Sequence, residues 1–221
     1  MTTRAALLVL ADGRFPAGGH AHSGGAEPAV KAGRIRNAED LADFCLGRLH
    51  TTGLTSAALA AAAAHGLDPL ALDEAADART PSPALRNVAR KLGRQLMRAA
   101  RATWPSAELA ALAEARPRGA HQPVVLGLTA RAAGLDPADA AHCAAYEAVS
   151  GPATAVVRLL SLDPFEATAV LARLAPDLDR VAEQAADAAL HGIDALPAAS
   201  APLLDITAEA HAAWPVRLFA S

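Results

Sequence analysis

Three Asp-Pro dipeptides, Asp68-Pro69, Asp136-Pro137 and Asp163-Pro164, each stand directly before an apolar pattern of helical period. The aspartate side chain can accept from the free N–H groups of a first helical turn, and a proline at the first helical position sacrifices no hydrogen bond. The chain is thereby committed to helices at three well-separated places. Alanine fills more than a quarter of the positions and only seven residues are aromatic. Alanine is the strongest helix former and has a small side chain, so this composition calls for closely packed helices with thin apolar layers. Strand-favouring segments are scarce. The expected fold is all-α, one domain over residues 1–221, a bundle of roughly nine to eleven short-to-medium helices.

Other boundaries follow from local chemistry. Residues 4–10 read as a short apolar helix ending at Asp12-Gly13. Asn37 with Asp40 three residues later resembles a capping box, and Leu41, Phe44, Cys45 and Leu49 form an apolar stripe before Gly53. An alanine-rich helix follows from Leu54 to His65, closed by Gly66. Pro83–Thr103 is the longest periodic segment, Pro105 and Pro117 interrupt the next one, and His121-Gln122-Pro123 opens a helix ending at Gly134. Between Pro137 and Ala175 three apolar segments are expected, divided at Ser150-Gly151-Pro152 and at Asp163-Pro164. A helix over Asp177–His191, a proline-containing loop, the run Pro202–Ile206 and then a short helix through His211 precede an apolar tail, Trp214–Ser221.

The densest run of special residues is Asp12–Val30, DGRFPAGGHAHSGGAEPAV. Gly18-Gly19 and Gly24-Gly25 bracket His20-Ala21-His22-Ser23, which marks a shaped loop. Gly19 and Gly24 have the spacing of a phosphate loop, but Gly25 and Ala26 stand where Lys and Ser/Thr would reach phosphate and magnesium. His20 and His22 point the same way from an extended backbone and would suit nickel, zinc or copper, yet two ligands do not close a site. The remaining reading is a tight turn into a helix that begins between Ser23 and Glu27 and ends at Gly33. Pro28 sits poorly deep in a helix, so that helix is expected to start late or bend.

Composition excludes several classes. A net charge of −3 and a pI near 6.2 provide no overall drive toward nucleic acid or anionic membranes. The longest apolar run, Ala57–Ala64, is too short to span a bilayer and the amino terminus reads as no signal peptide, so a cytoplasmic protein is expected. Cys45 and Cys143 lie far apart in apolar helical patterns and are expected as buried free thiols. No Ser-His-Asp, Cys-His, metal-ligand or paired-carboxylate motif is legible, and no cofactor is expected. His121 has no local acid or nucleophile and reads as a structural or capping histidine.

One stripe asks for an explanation. Arg86, Arg90, Arg94, Arg98 and Arg101 step along one face of the Pro83–Thr103 helix opposite Leu85, Val88, Leu92, Leu96 and Ala99. The stripe is either a solvated face or a dock for an acidic partner surface. Gly93 in mid-helix costs about 1 kcal/mol against alanine, which implies another backbone packed closely there.

The run Phe15, Pro16, Gly18, Gly19, Ser23, Gly25 and Glu27 resembles the amino-terminal signature of the urease accessory protein family UreF, with His20 and His22 where that family usually has aromatics. Ser82, Leu92, Gly93 and Arg94 resemble its second motif; Ala155, Arg158, Leu159 and Leu162 its third, though Ser161, Asp163 and Pro164 replace the usual Pro and Gly-Gln. Pro202, Leu204, Asp205, His211, Arg217, Leu218, Phe219 and Ser221 resemble the family's ending, with Ala212 in place of a glutamate.

The resemblance spans the chain. It implies no enzyme but an adaptor of urease maturation: a helical homodimer that binds a UreD/UreH-type accessory protein, recruits a UreG-type GTPase, and brings it to apo-urease for nickel insertion. It also suggests an influence on the GTPase cycle. On this reading the partner-binding residues are Gly18, Gly19, His20, His22, Ser23, Glu27, Arg90, Arg94, Arg98, Tyr146, Arg158, Arg217, Leu218 and Phe219, with the tail helping hold the UreD-like protein; burial of Leu218 and Phe219 on the protein's own body is the alternative. The alternative is a nickel carrier or metalloenzyme centred on His20 and His22.

Overall fold

The computed structural model describes residues 4–221. Among them are twelve α-helices and no strand: α1 (Arg4–Ala11), α2 (Ala26–Lys31), α3 (Ala38–Arg48), α4 (Leu54–His65), α5 (Pro69–Ala78), α6 (Pro83–Thr103), α7 (Ala107–Ala115), α8 (Gln122–Ala132), α9 (Pro137–Leu160), α10 (Pro164–Arg173), α11 (Ala175–Ala189) and α12 (Pro202–Ala212). A π-helical turn, Leu49–Gly53, fuses α3 to α4, which leaves eleven separate rods.

The capping chemistry acts as the sequence predicts. The Asp68 carboxylate accepts from the N–H groups of Leu70 and Ala71, Asp163 from Phe165, and Asp136 from Asp139 in a reciprocal capping box. Asn37 does the same at α3, accepting from Glu39 and Asp40. Each such cap is worth about 1 kcal/mol.

α4 is the axis of the molecule. Ten of its twelve residues are buried, and it packs against α8, α9 and α11. A helix apolar on every side has no solvent face to offer and belongs in the middle, and its alanines let three neighbours approach closely. The buried apolar residues form one connected cluster running from Leu10 to Phe219. Cys45 and Cys143 lie in it as free thiols, and burial pushes both up to about 12.

The expected break at Ser150-Gly151-Pro152 does not occur. α9 runs through it as 24 unbroken residues and stops only at Ser161, in a left-handed conformation at φ 52°. A proline inside a helix costs about 3 kcal/mol, partly because the carbonyl four residues earlier loses its donor. Here that carbonyl belongs to Ala148, and the Arg48 Nε–H donates to it at 2.8 Å. Pro152 is itself buried in the core. The repair comes from a residue 100 positions away, so no local rule could foresee it. Pro28 also departs from expectation: it is the third residue of α2, inside the first turn, where no backbone N–H is required. Gly25, at φ 90°, supplies the turn that admits this early start.

Gly93 bears out its reading. A Cβ at this position would stand 2.0 Å from the Ala120 carbonyl oxygen, so α6 meets the backbone leading into α8 with nothing between them.

Candidate functional site

Two buried carboxylates organise the polar structure. Glu27, in the first turn of α2, accepts the Leu218 N–H at 2.8 Å, the Phe219 N–H at 3.0 Å and the His211 Nε2 at 2.9 Å. Burial alone would raise its pKa; the two backbone N–H groups and His211 outweigh this and hold it below its ordinary value. Ser23 extends the clasp, its N–H and Oγ both donating to the Ser221 carbonyl at 2.7 Å, while the Ala220 N–H donates to the Ala21 carbonyl at 2.8 Å. His22 Nδ1 lies 2.7 Å from Ser221 Oγ. The glycine-rich signature is thus the seat of the chain's own tail.

Of the two apolar tail residues expected to be buried, Phe219 is seated on the chain's own body and Leu218 is not. Phe219 is buried against its own chain, beneath the Arg158 guanidinium at 4.8 Å from the ring centroid, and is no surface for another protein in this arrangement. His211 meets Trp214 edge-on, and Lys31 caps the Trp214 ring at 3.9 Å. Because Glu27 grips two consecutive N–H groups, the intervening side chains diverge: Phe219 turns inward, whereas Leu218 is 70% exposed with Val216 and Arg217 also in solvent.

The second carboxylate is Asp73 of α5, fully buried. It accepts the His121 N–H and meets His121 Nδ1, each at 2.8 Å, and accepts Arg116 Nε at 2.8 Å and Arg90 Nη1 at 3.2 Å. Burial opposes ionisation, but His121 and Arg116 prevail and hold the carboxyl well below the usual carboxylate range. His121 N-caps α8, as expected of a structural histidine, yet an acid does accompany it, from 48 positions away. Its Nε2 is buried without a hydrogen bond, 3.3 Å from Asp77.

The same cluster divides the arginine ridge. Arg90, expected as part of a continuous dock, is tied to Asp73, to the Gly119 carbonyl at 3.0 Å and to Asp77 at 2.5 Å. Arg86 donates to the Thr80 and Pro81 carbonyls and approaches Asp77. Arg94 reaches the Arg118 carbonyl at 3.3 Å but stays exposed, and Lys91, Arg98 and Arg101 are exposed without an ion pair among the described residues. A Cβ on Gly18 would strike the Gln95 side chain, so the signature loop lies against this outer stretch of α6.

Of the remaining candidates, Gly19 and His20 are exposed beside that stretch, and Tyr146 is partly exposed on α9. Next to Tyr146, Glu147 accepts Gln122 Nε2 at 2.5 Å; burial pushes its carboxyl up to about 7, with the Gln122 bond working the other way. No group of three or more His, Cys, Asp or Glu side chains is gathered to hold a metal among the described residues. No described helix is long and apolar enough to cross a membrane.

A helical body whose buried charges brace its own segments, with a basic stretch and tail side chains left exposed, defines the class: an all-α protein. The family follows from comparison with known sequences. The UreF profile matches residues 35–175. Urease accessory protein UreF of Mycobacterium sp. (strain JLS) is 44% identical over the full length of both chains, and that of Mycobacterium marinum is 43% identical, also over both full lengths. The Mycobacterium tuberculosis (strain H37Rv) counterpart is 42% identical, covering 96% of this chain and 95% of its own. The chain belongs to the UreF family. The matches to the full-length relatives extend past the profile at both ends, over the positions of the signature loop and the tail.

Proposed function

We propose that this protein is an adaptor of urease maturation, which as a homodimer engages a UreD/UreH-type accessory protein and a UreG-type GTPase and brings them to apo-urease for nickel insertion. Membership of a family whose named relatives are urease accessory proteins supports the maturation role. The observation that carries the adaptor reading is the tail: Glu27 fixes its backbone so that Arg217 and Leu218 face outward beside Val216. Exposed large apolar side chains held in a defined place, next to an arginine, are the composition of an interface anchor. The exposed Lys91, Arg94 and Arg98 form a separate basic surface suited to an acidic partner, with His20 and a His22 that burial and Lys91 keep toward its neutral form beside them.

The test is co-expression with the UreD/UreH-type protein and co-purification on a tag carried by that partner. The wild type co-purifies, and Leu218→Asp with Arg217→Glu abolishes this while the melting temperature stays within a degree or two. Absence of wild-type co-purification refutes the adaptor reading; undiminished capture of the double variant refutes the tail assignment alone.

A further inference from the structure

Arg48 is half-buried, as is Arg79, and neither is paired with a carboxylate among the described residues; Arg79 is held by four backbone carbonyls, Arg48 by one. The Arg48 Nε–H serves the Ala148 carbonyl left without a donor by Pro152, but no carboxylate lies within ion-pair distance of its guanidinium among the described residues. Arg90 and Arg116, by contrast, are each neutralised by Asp73. A charge withdrawn from water without a counterion is costly, and burial depresses the Arg48 pKa accordingly.

The guanidinium is not sealed in. It lines a groove of about 310 Å³ between α2, α3 and α12, whose walls are Gly25, Ala29, Phe44, Leu203 and Leu204, with Arg34, Asp43, Thr51 and Thr207 at the edges. Asp43 is near but makes no ion pair with Arg48, and the Thr51 and Thr207 hydroxyls are already spent on Gly47 and Leu203 carbonyls. The groove therefore offers apolar walls, hydroxyls that already donate elsewhere, and two cations without an ion pair among the described residues, half-buried Arg48 and exposed Arg34, against the single carboxylate of Asp43. Its position is fixed from two sides: a Cβ at Gly24 would lie 3.5 Å from the guanidinium carbon, and the π-helical turn begins at the next residue, Leu49. On the α12 rim Leu203 is 53% exposed and Ile206, one turn on, is 67% exposed, so the apolar surface continues past the groove. A small anion would leave that rim uncovered. A polypeptide would cover it.

We propose that this groove receives an apolar segment of a partner protein that carries a glutamate or aspartate, the carboxylate pairing with Arg48 and the flanking side chains filling the walls. A guanidinium donates to a carboxylate through two parallel N–H groups, and in a half-buried setting such a pair is stronger and more selective than a surface ion pair. This chemistry does not depend on the urease assignment, because it follows from the groove alone.

The experiment titrates two peptides, acetyl-Leu-Leu-Glu-Leu-amide and its Glu→Gln twin, into the isotopically labelled protein and follows amide shifts at Thr51 and Thr207. The glutamate peptide is expected to saturate those shifts and to bind about tenfold more tightly than its twin. Arg48→Met should abolish the difference; because it also removes the donor to Ala148, Leu203→Glu provides the second arm, placing a carboxylate on an exposed wall and weakening the glutamate peptide about tenfold with the fold intact. Equal affinity for the two peptides, or shifts confined to other surfaces, would overturn the proposal. So would a wild-type dimer that the peptide dissociates, since that would put a second copy of this chain in the groove.

Discussion

Glu27 Oε2 accepts the Phe219 N–H at 3.0 Å across 192 positions of sequence, and the same carboxylate holds the Leu218 N–H with its other oxygen. This pair of bonds converts a tail that would fray into a fixed structure and decides which of its side chains face solvent.

Replacing Glu27 with Gln should release the tail. An amide can accept with one atom only, and its NH₂ would face a backbone donor or His211. A loss of about 3 kcal/mol is expected, the scale of one or two charge-assisted bonds broken in a buried place. Hydrogen exchange should show the Leu218 and Phe219 amides unprotected while the α4 amides keep their protection. In the wild type the contribution belongs to ionised Glu27, whose native pKa is depressed; it is complete at neutral pH and lost only as pH falls below about 4.5 toward that lower value. Tail protection that survives Glu27→Gln unchanged would refute the clasp.

Asp73→Asn should be more damaging. It removes the buried charge shared by Arg90 and Arg116, and if the amide oxygen keeps the two His121 bonds its NH₂ faces the two guanidinium groups, leaving them only their outer partners Asp77 and Glu74. Breaking a buried pair from one side costs about 3–5 kcal/mol, and denaturant unfolding should record a loss in that range. A loss under about 1 kcal/mol would show that water already neutralises this cluster.

The arginine ridge should respond in two parts. Arg98→Glu and Arg101→Glu touch exposed groups without ion pairs and should change stability by about 0.5 kcal/mol or less each, while weakening capture of an acidic partner in a salt-dependent way. Arg90→Glu adds a third carboxylate beside Asp73 and Asp77 and should destabilise the fold itself. Equal thermal stability of the three variants would return Arg90 to the surface.

Glu147 gives a pH signature of opposite sign to Glu27. Its native pKa is raised to about 7 against an ordinary 4.5, so the folded state holds a proton that the unfolded chain releases. Stability from this group is therefore lost as pH rises from about 4.5 to 7, then levels off. Glu147→Gln should leave the melting temperature unchanged at pH 4.5 and raise it at pH 8. A variant equally affected at both values would contradict the assignment.

Helix starts were legible in the sequence wherever capping is local: Asp68, Asp136, Asp163 and Asn37 each act within a few residues of where they stand. The sequence also determined family membership, through residues spread from Phe15 to Ser221, and the close backbone approach at Gly93, because a mid-helix glycine has a cost that only contact explains. Outcomes set by distant partners were not legible there. Pro152 lies within a continuous helix because Arg48 donates to Ala148, and Arg90 is an internal strut because Asp73 and Asp77 face it from another helix. Phe219 is a core residue because Glu27 takes its N–H. In each case a hydrogen bond or charge is satisfied by a group tens to hundreds of positions away, and proximity of that kind exists only once the helices have packed.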